Sequence, residues 1–255
     1  MKGFINNGNS CYFNVSLKML LVCCPELEEY SYHGDCVFTQ LFFRLVRAYY
    51  DPDIKYIDPR PLLDVFREKF PSFSAYHQHD AQECVLSLID ILEKELPYFK
   101  KKFYGMKENQ VIFPKGKNIH PERFSLHLLE SQPNMTLVEM YKKSFKWNTI
   151  ENYYDDEGEH YNLATTRSII KKFPEMFMIS FDSKSFVEAF AEDDTMELLC
   201  SVVHLGSQHS GHYVILIRKD CKWYLHDDMS IVELTEFPKK EGHYILTYTL
   251  KTHQS

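Results

Sequence analysis

The chain has 255 residues, with 29 basic and 36 acidic side chains and a formal net charge of −7. Hydrophobic residues at 44% and charged residues at 25% are ordinary for a globular protein, which excludes a disordered or low-complexity chain. Nine glycines exclude glycine-repeat architectures, and the acidic balance argues against a general nucleic-acid binder, which would gather Lys and Arg against phosphate.

The short basic runs at Lys100–Lys102, Lys142–Lys143 and Lys171–Lys172 sit among acids and aromatics and read as solvated faces. A mildly acidic chain is better matched to a basic protein or peptide segment. Residues 1–14 lack the apolar stretch and cleavage site of a signal peptide. No run approaches the roughly 18 apolar residues needed to span a bilayer. No membrane association is expected, and the expected location is intracellular, in cytoplasm and/or nucleus. Seven cysteines, an odd number in a long chain, read as reduced thiols, and the absence of any C-x-x-C pair argues against a zinc ribbon. No cofactor or metal is expected. The sequons at Asn14 and Asn134 are then chance matches.

In chain order, Asn9-Ser10 offers an N-cap for an apolar helix over Cys11–Cys23. Phe38, Leu41, Phe42, Leu45, Val46 and Tyr49 recur at helical spacing up to Asp51-Pro52. Leu62, Leu63, Phe66 and Phe70 form a shorter stripe closed by Pro71. Asp80-Ala81-Gln82-Glu83 has capping-box form and opens a helix stopped by Pro97. After Pro121 the pattern changes to a strand at Phe124–Leu129, a short helix at Thr136–Phe145, and a polar arm or hairpin over 148–166. Five β-branched or aromatic segments follow: 176–181, 196–205, 212–218, 223–227 and 244–250. The fold class is α+β in one domain, 1–255, with a helical lobe over about 1–120 and a mostly antiparallel sheet lobe over about 121–255. A cleft between two such lobes is a natural place for a site.

Two segments carry chemistry. Gly3 to Asn14 is a turn-rich loop delivering Cys11 to the first turn of a helix. Unpaired N–H groups there favour a thiolate and can bind an oxyanion; a small buried residue capping an apolar helix is the plainer reading. The polar loop 207–211 ends in His212, and strands over 213–218 and 222–226 would form a hairpin. Such a hairpin places His212 opposite Asp227-Asp228, within about one residue of register. A carboxylate there can fix the imidazole tautomer and leave its other nitrogen to deprotonate a thiol. Local geometry does not choose between Asp227 and Asp228.

Together these segments resemble a known family. GFINNGNSCYFNV around Cys11 is similar to the cysteine box of the ubiquitin-specific proteases, papain-like deubiquitinating enzymes. GHYVILIRKDCKWYLHDDMSIV, residues 211–232, is similar to their histidine box, and Gln78-His79-Asp80-Ala81-Gln82-Glu83 resembles the family's Q-Q-D-A-x-E helix start. The resemblance implies a helical thumb and a sheet palm with the active site between them. It implies Cys11 as nucleophile, His212 as general base and later acid, Asp227 as histidine orienter, Asn6 as oxyanion-hole amide, and Asp228 as an assisting acid. Asp80 would pair with an arginine of ubiquitin's C-terminal tail, with Gln82 nearby. Gly211, His212 and Tyr213 would line a channel admitting only glycine.

Ser10, Val15 and Lys18 stand where the box usually has Thr, Ser and Gln, and none is expected to touch the chemistry. The fingers extension lacks the family's zinc-binding cysteines and is expected to be reduced or metal-free. The expected partners are ubiquitin, or a ubiquitin-like protein with the same diglycine end, and its conjugates, with the chain acting as a monomer. A non-catalytic ubiquitin-binding scaffold is the rival from another class.

Overall fold

The computed structural model describes residues 1–73, 77–132, 135–182, 195–207, 210–238 and 242–250. The elements run β1 (Gly3–Phe4), α1 (Cys11–Cys23), α2 (Val37–Tyr50), β2 (Tyr56–Ile57), α3 (Arg60–Lys69), α4 (Ala81–Glu95) and α5 (Tyr98–Phe103). There follow β3 (Gly105–Phe113), β4 (Gly116–Phe124), β5 (Leu126–Leu129), α6 (Leu137–Lys143), β6 (Asn148–Tyr154), β7 (His160–Lys172) and β8 (Met176–Phe181). The chain closes with β9 (Met196–Ser207), β10 (Ser210–Lys219), β11 (Lys222–Asp227), β12 (Ser230–Leu234) and β13 (His243–Leu250).

Proline punctuates the helical half. Pro25, Pro52, Pro71 and Pro97 each follow the C-cap of α1, α2, α3 or α4, where the preceding residue is pushed out of helical geometry. Nearly every residue of α1 is buried, including Lys18. A helix apolar on all sides belongs inside a core. One side of α1 meets α4, and another meets the sheet at β9 and β10. Tyr12, Leu17, Leu20, Val85, Val202 and Ile215 share that core; each fully buried large apolar side chain contributes roughly 1.5–3 kcal/mol.

The palm is a seven-stranded sheet in the order β12-β11-β10-β9-β13-β8-β5, with only β5–β8 parallel. A second core, containing Phe177, Ile179 and Leu246, packs with Leu137 and Met140 of α6. Thr136 and Glu139 close a capping box at the start of α6.

A second sheet, in the order β4-β3-β7-β6, corrects the expected boundary of the helical lobe. Residues 105–120 form β3, a two-residue turn and the start of β4, not part of a helical lobe. Lys107, Glu108, Asn109, Gln110 and Lys117 have weak β preference, and pairing makes them a ladder: β3 and β4 form a hairpin, and β3 also pairs with β7. Pro121 lies inside β4, an edge strand of this sheet, where a missing N–H is tolerated. The polar arm over 148–166 belongs to the β6–β7 hairpin of the same sheet. No cysteine occurs anywhere in 105–172. Lys102 departs from the solvated reading of its run: it is buried and paired with Glu26.

Among the described residues no helix is long and apolar enough to cross a membrane. Asn14 is 1% exposed, which fits the reading of its sequon as chance; Asn134 lies outside the described residues.

Candidate active site

The loop ahead of α1 turns through Gly8 and Asn9, both at positive φ, residue types that tolerate the left-handed region. Ser10 holds the N-cap position but does not cap. Its hydroxyl lies 3.2 Å from Asn6 Oδ1 and accepts the Asn7 N–H at 2.8 Å, so it braces the loop instead. The helix's first-turn amides are left to Cys11: backbone hydrogen bonds from Cys11 and Tyr12 act on its sulfur, as does one from Tyr213, the residue after His212. Segments two hundred residues apart therefore meet at this thiol. Burial nevertheless dominates and pushes the Cys11 thiol up, with the Asp228 charge adding to it and the three amides opposing. The expected thiolate preference at the helix terminus is outweighed in this state, because desolvation of the charged sulfur is the larger effect.

β10 and β11 form the expected hairpin. Asp220 and Cys221 both have positive φ, as a two-residue type I′ turn requires, and Arg218 pairs with Trp223. Regular pairing ends at Ile215–His226. Continuing that register puts Asp227 opposite Val214 rather than opposite His212. The two functional side chains are diagonal neighbours on one face, within reach because the histidine is long. His212 Nε2 donates to Asp227 Oδ1 at 2.6 Å and stands 3.9 Å from Asp228 Oδ2. With Nε2–H bound to a carboxylate, Nδ1 is the basic nitrogen.

Asp228 has a different setting. Its φ is +47°, and its carboxylate accepts from Asn6 Nδ2 and Asn14 Nδ2, each at 2.8 Å. Its carbonyl accepts from the Phe4 N–H at 2.9 Å and from Lys18 Nζ at 3.0 Å. A Cβ on Gly3 would sit 2.5 Å from the Met229 carbonyl oxygen, so only glycine lets β1 approach this turn. The expectation that Ser10 and Lys18 stand clear of the chemistry is corrected here, since both belong to the web that holds Asn6 and Asp228. His212, Asp227 and Asp228 each bring one ligand-capable atom within 4.8 Å of the others, but those atoms are already engaged in these hydrogen bonds.

The second expected cluster also assembles. Asp80 caps α4: its Oδ1 accepts from the N–H groups of Gln82 at 2.7 Å and Glu83 at 3.3 Å. Its Oδ2 accepts the Tyr244 hydroxyl at 2.7 Å. Burial and this carboxylate push the phenols of Tyr213 and Tyr244 far up, so both remain neutral donors. Gln82 Oε1 lies 2.7 Å from the Ser180 hydroxyl, tying α4 to β8. At Gly211 a Cβ would come within 2.4 Å of His204 Cε1 and the Leu205 carbonyl oxygen. Gln78, part of the matched helix-start motif but given no role from sequence, spans the lobes: its amide oxygen accepts the Gly211 N–H at 2.9 Å and its amide nitrogen donates to the Gly211 carbonyl. Residues 208 and 209 of the adjoining loop lie outside the described residues.

With this geometry in place, comparison with known proteins defines the class. The family described as ubiquitin carboxyl-terminal hydrolase matches residues 2–248. The chain belongs to that family. Ubiquitin carboxyl-terminal hydrolase 5 of Arabidopsis thaliana is 32% identical over 117 residues, 41% of this chain and 13% of that protein. Ubiquitin carboxyl-terminal hydrolase 15 of Homo sapiens is 28% identical over 116 residues, 40% of this chain and 12% of that protein. The matched region thus spans only a small part of these relatives. The solved SAGA Ubp8/Sgf11/Sus1/Sgf73 DUB module bound to ubiquitin aldehyde matches 99% of this chain and 70% of that chain, with a TM-score of 0.79 at 17% identity. That likeness gives this chain the same α+β fold.

Proposed function

We propose that this chain is a thiol-dependent deubiquitinase that hydrolyses the isopeptide bond after ubiquitin's C-terminal glycine. The observation that carries the reading is the meeting of the Cys11 sulfur with the Tyr213 backbone, one residue from a histidine held 2.6 Å from Asp227. The raised thiol suits a neutral resting pair, in which His212 acts as general base. His212 Nδ1 takes the Cys11 proton as sulfur attacks the glycine carbonyl. The Cys11 N–H and the Asn6 amide, oriented by Asp228, receive the oxyanion; losing one such donor typically costs ~10²–10³ in rate. The imidazolium returns its proton to the departing lysine amine, leaving a thioester. Water, deprotonated by His212, then releases ubiquitin's carboxylate and the free thiol.

The tail would run along Gly211 and Tyr213 toward Asp80 and Gln82. An incoming guanidinium would compete with the Tyr244 hydroxyl for Asp80 Oδ2 while Oδ1 keeps its cap. The protein is placed in the cytoplasm and/or nucleus, a reading supported by its seven free cysteines.

Release of a fluorogenic amine from the ubiquitin C-terminus tests the reading, with ubiquitin-like modifiers run in parallel. The native chain should turn over, while Cys11→Ala and His212→Ala should lose ~10³-fold or more. Equal rates for native protein and Cys11→Ala would refute it. Turnover of a ubiquitin-like substrate alone would transfer the same chemistry to that modifier.

A further inference from the structure

We propose that Lys18 is a positioning residue for the proposed catalytic pair: a buried ammonium fixed under the Asp227–Asp228 turn that offsets both carboxylates and so sets the basicity of His212. This rests on the roles given above to His212 and Asp227.

Lys18 is 1% exposed, on the helix that begins with Cys11. Cys11, Asn14 and Lys18 are spaced i, i+3 and i+7, which puts them on one helix face. That face meets the end of β11: Asn14 holds the Asp228 carboxylate and Lys18 the Asp228 carbonyl. The ammonium has three N–H directions, and three partners surround it. They are the Asp228 carbonyl at 3.0 Å, His226 Nδ1 at 3.2 Å and the Phe4 ring with its centroid at 5.1 Å. A buried cation is costly unless it is paired, and its charged partners here are Asp228 and Asp227.

The other titratable groups facing it are His226 and the Met1 amino group. Burial and Lys18 together push His226 down to about 3, so that ring is neutral and accepts from the ammonium. Burial lowers Lys18 itself to about 8 against the pull of the two aspartates, so below that pH it is charged. Two carboxylates close to His212 stabilise its imidazolium; a cation behind them offsets that pull. Removing the positive charge must therefore raise the His212 titration.

The box usually carries glutamine here, so Lys18→Gln removes the charge and keeps an amide donor for the Asp228 carbonyl. Lys18→Met removes both. The His212 titration is followed by side-chain NMR, beside melting curves and kcat and KM on a fluorogenic ubiquitin substrate. In both variants the His212 midpoint should rise by about half a pH unit, and the acid limb of kcat/KM should rise with it. Lys18→Gln should keep kcat within about 5-fold, while Lys18→Met should lose about 10-fold or more in kcat with KM within about 2-fold. An unshifted His212 midpoint in folded Lys18→Gln, or native kcat in Lys18→Met, would overturn the proposal. Failure of both variants to fold would assign Lys18 to the fold alone and equally overturn it. Absence of turnover by the native chain would instead sink the proposed function, while the NMR titration would still decide Lys18.

Discussion

The α1–β11 contact and the four-stranded sheet are built on different rules. At the first, the buried Asn14 and Lys18 and the exposed Asn6 all converge on the half-buried Asp228. In the second, Ile112, Ile119 and Leu163 are largely exposed and Arg167 lies over the Trp147 ring at the surface. A buried polar group that loses its partner is left unsatisfied, whereas a ladder absorbs substitutions at its solvent-facing positions. Precision is therefore concentrated where the cysteine and histidine boxes meet, and the extension can change with little effect on the chemistry.

The sharpest way to break that contrast is to separate the adjacent aspartates. Asp227→Ala should lower kcat by about 10²–10⁴ with the melting temperature nearly unchanged, because Asp227 is exposed and its carboxylate accepts from His212. Asp228→Ala should do the reverse, with a smaller loss of kcat and a clear loss of stability. It strands the buried Asn14 amide, at about 1–3 kcal/mol for a buried unsatisfied group, while the exposed Asn6 amide can turn to water. Kinetics and denaturant melts on both would exchange the roles if the pattern inverted.

Gly211→Ala should come next. Its Cβ would meet the His204 ring and the Leu205 carbonyl, an overpacking cost of about 1–3 kcal/mol and a displacement of His212 by its neighbour. Turnover should fall about 10-fold or more; native turnover would show that the strand yields.

Acid should separate the regions more gently. Burial lowers His127 to about 4 and His226 to about 3, so both are neutral in the fold. Below about pH 6.5 the unfolded chain binds protons that the fold does not. Stability should thus be full above pH 6.5 and fall progressively toward pH 4 and then 3. A pH series of melts checks this, and His127→Gln should flatten part of the slope. The smallest effect is expected in the extension. Ile112→Thr and Leu163→Thr should change stability within about 0.5 kcal/mol and leave kcat untouched, with any effect on turnover confined to KM.

Much of this was legible from sequence because the informative parts are local. Cys11 opens a helix after a Gly-Asn turn, and His212 and Asp227 are joined by one hairpin. What failed was what depends on partners. Residues 105–120 are too polar to announce strands and become them through the β3–β4 hairpin and its pairing with β7. Asp227 sits one diagonal away from the simple register, because pairing ends at Ile215. The Cys11 thiol rises because burial outweighs its helix terminus. Ser10 and Lys18 read as neutral departures in the sequence, yet Lys18 shares a stripe with Cys11 and Asn14, and that spacing is the signal that points to it. Gln78 stood in a recognised box, but only the folded chain shows it pairing with Gly211.

The most direct test of the central claim is covalent capture. The protein is incubated with ubiquitin carrying a C-terminal electrophile, and the adduct is located by mass spectrometry and peptide mapping. One ubiquitin should be added at Cys11, none in Cys11→Ala, and capture in His212→Ala should be much slower. Modification at another cysteine, or unchanged capture without His212, would contradict it.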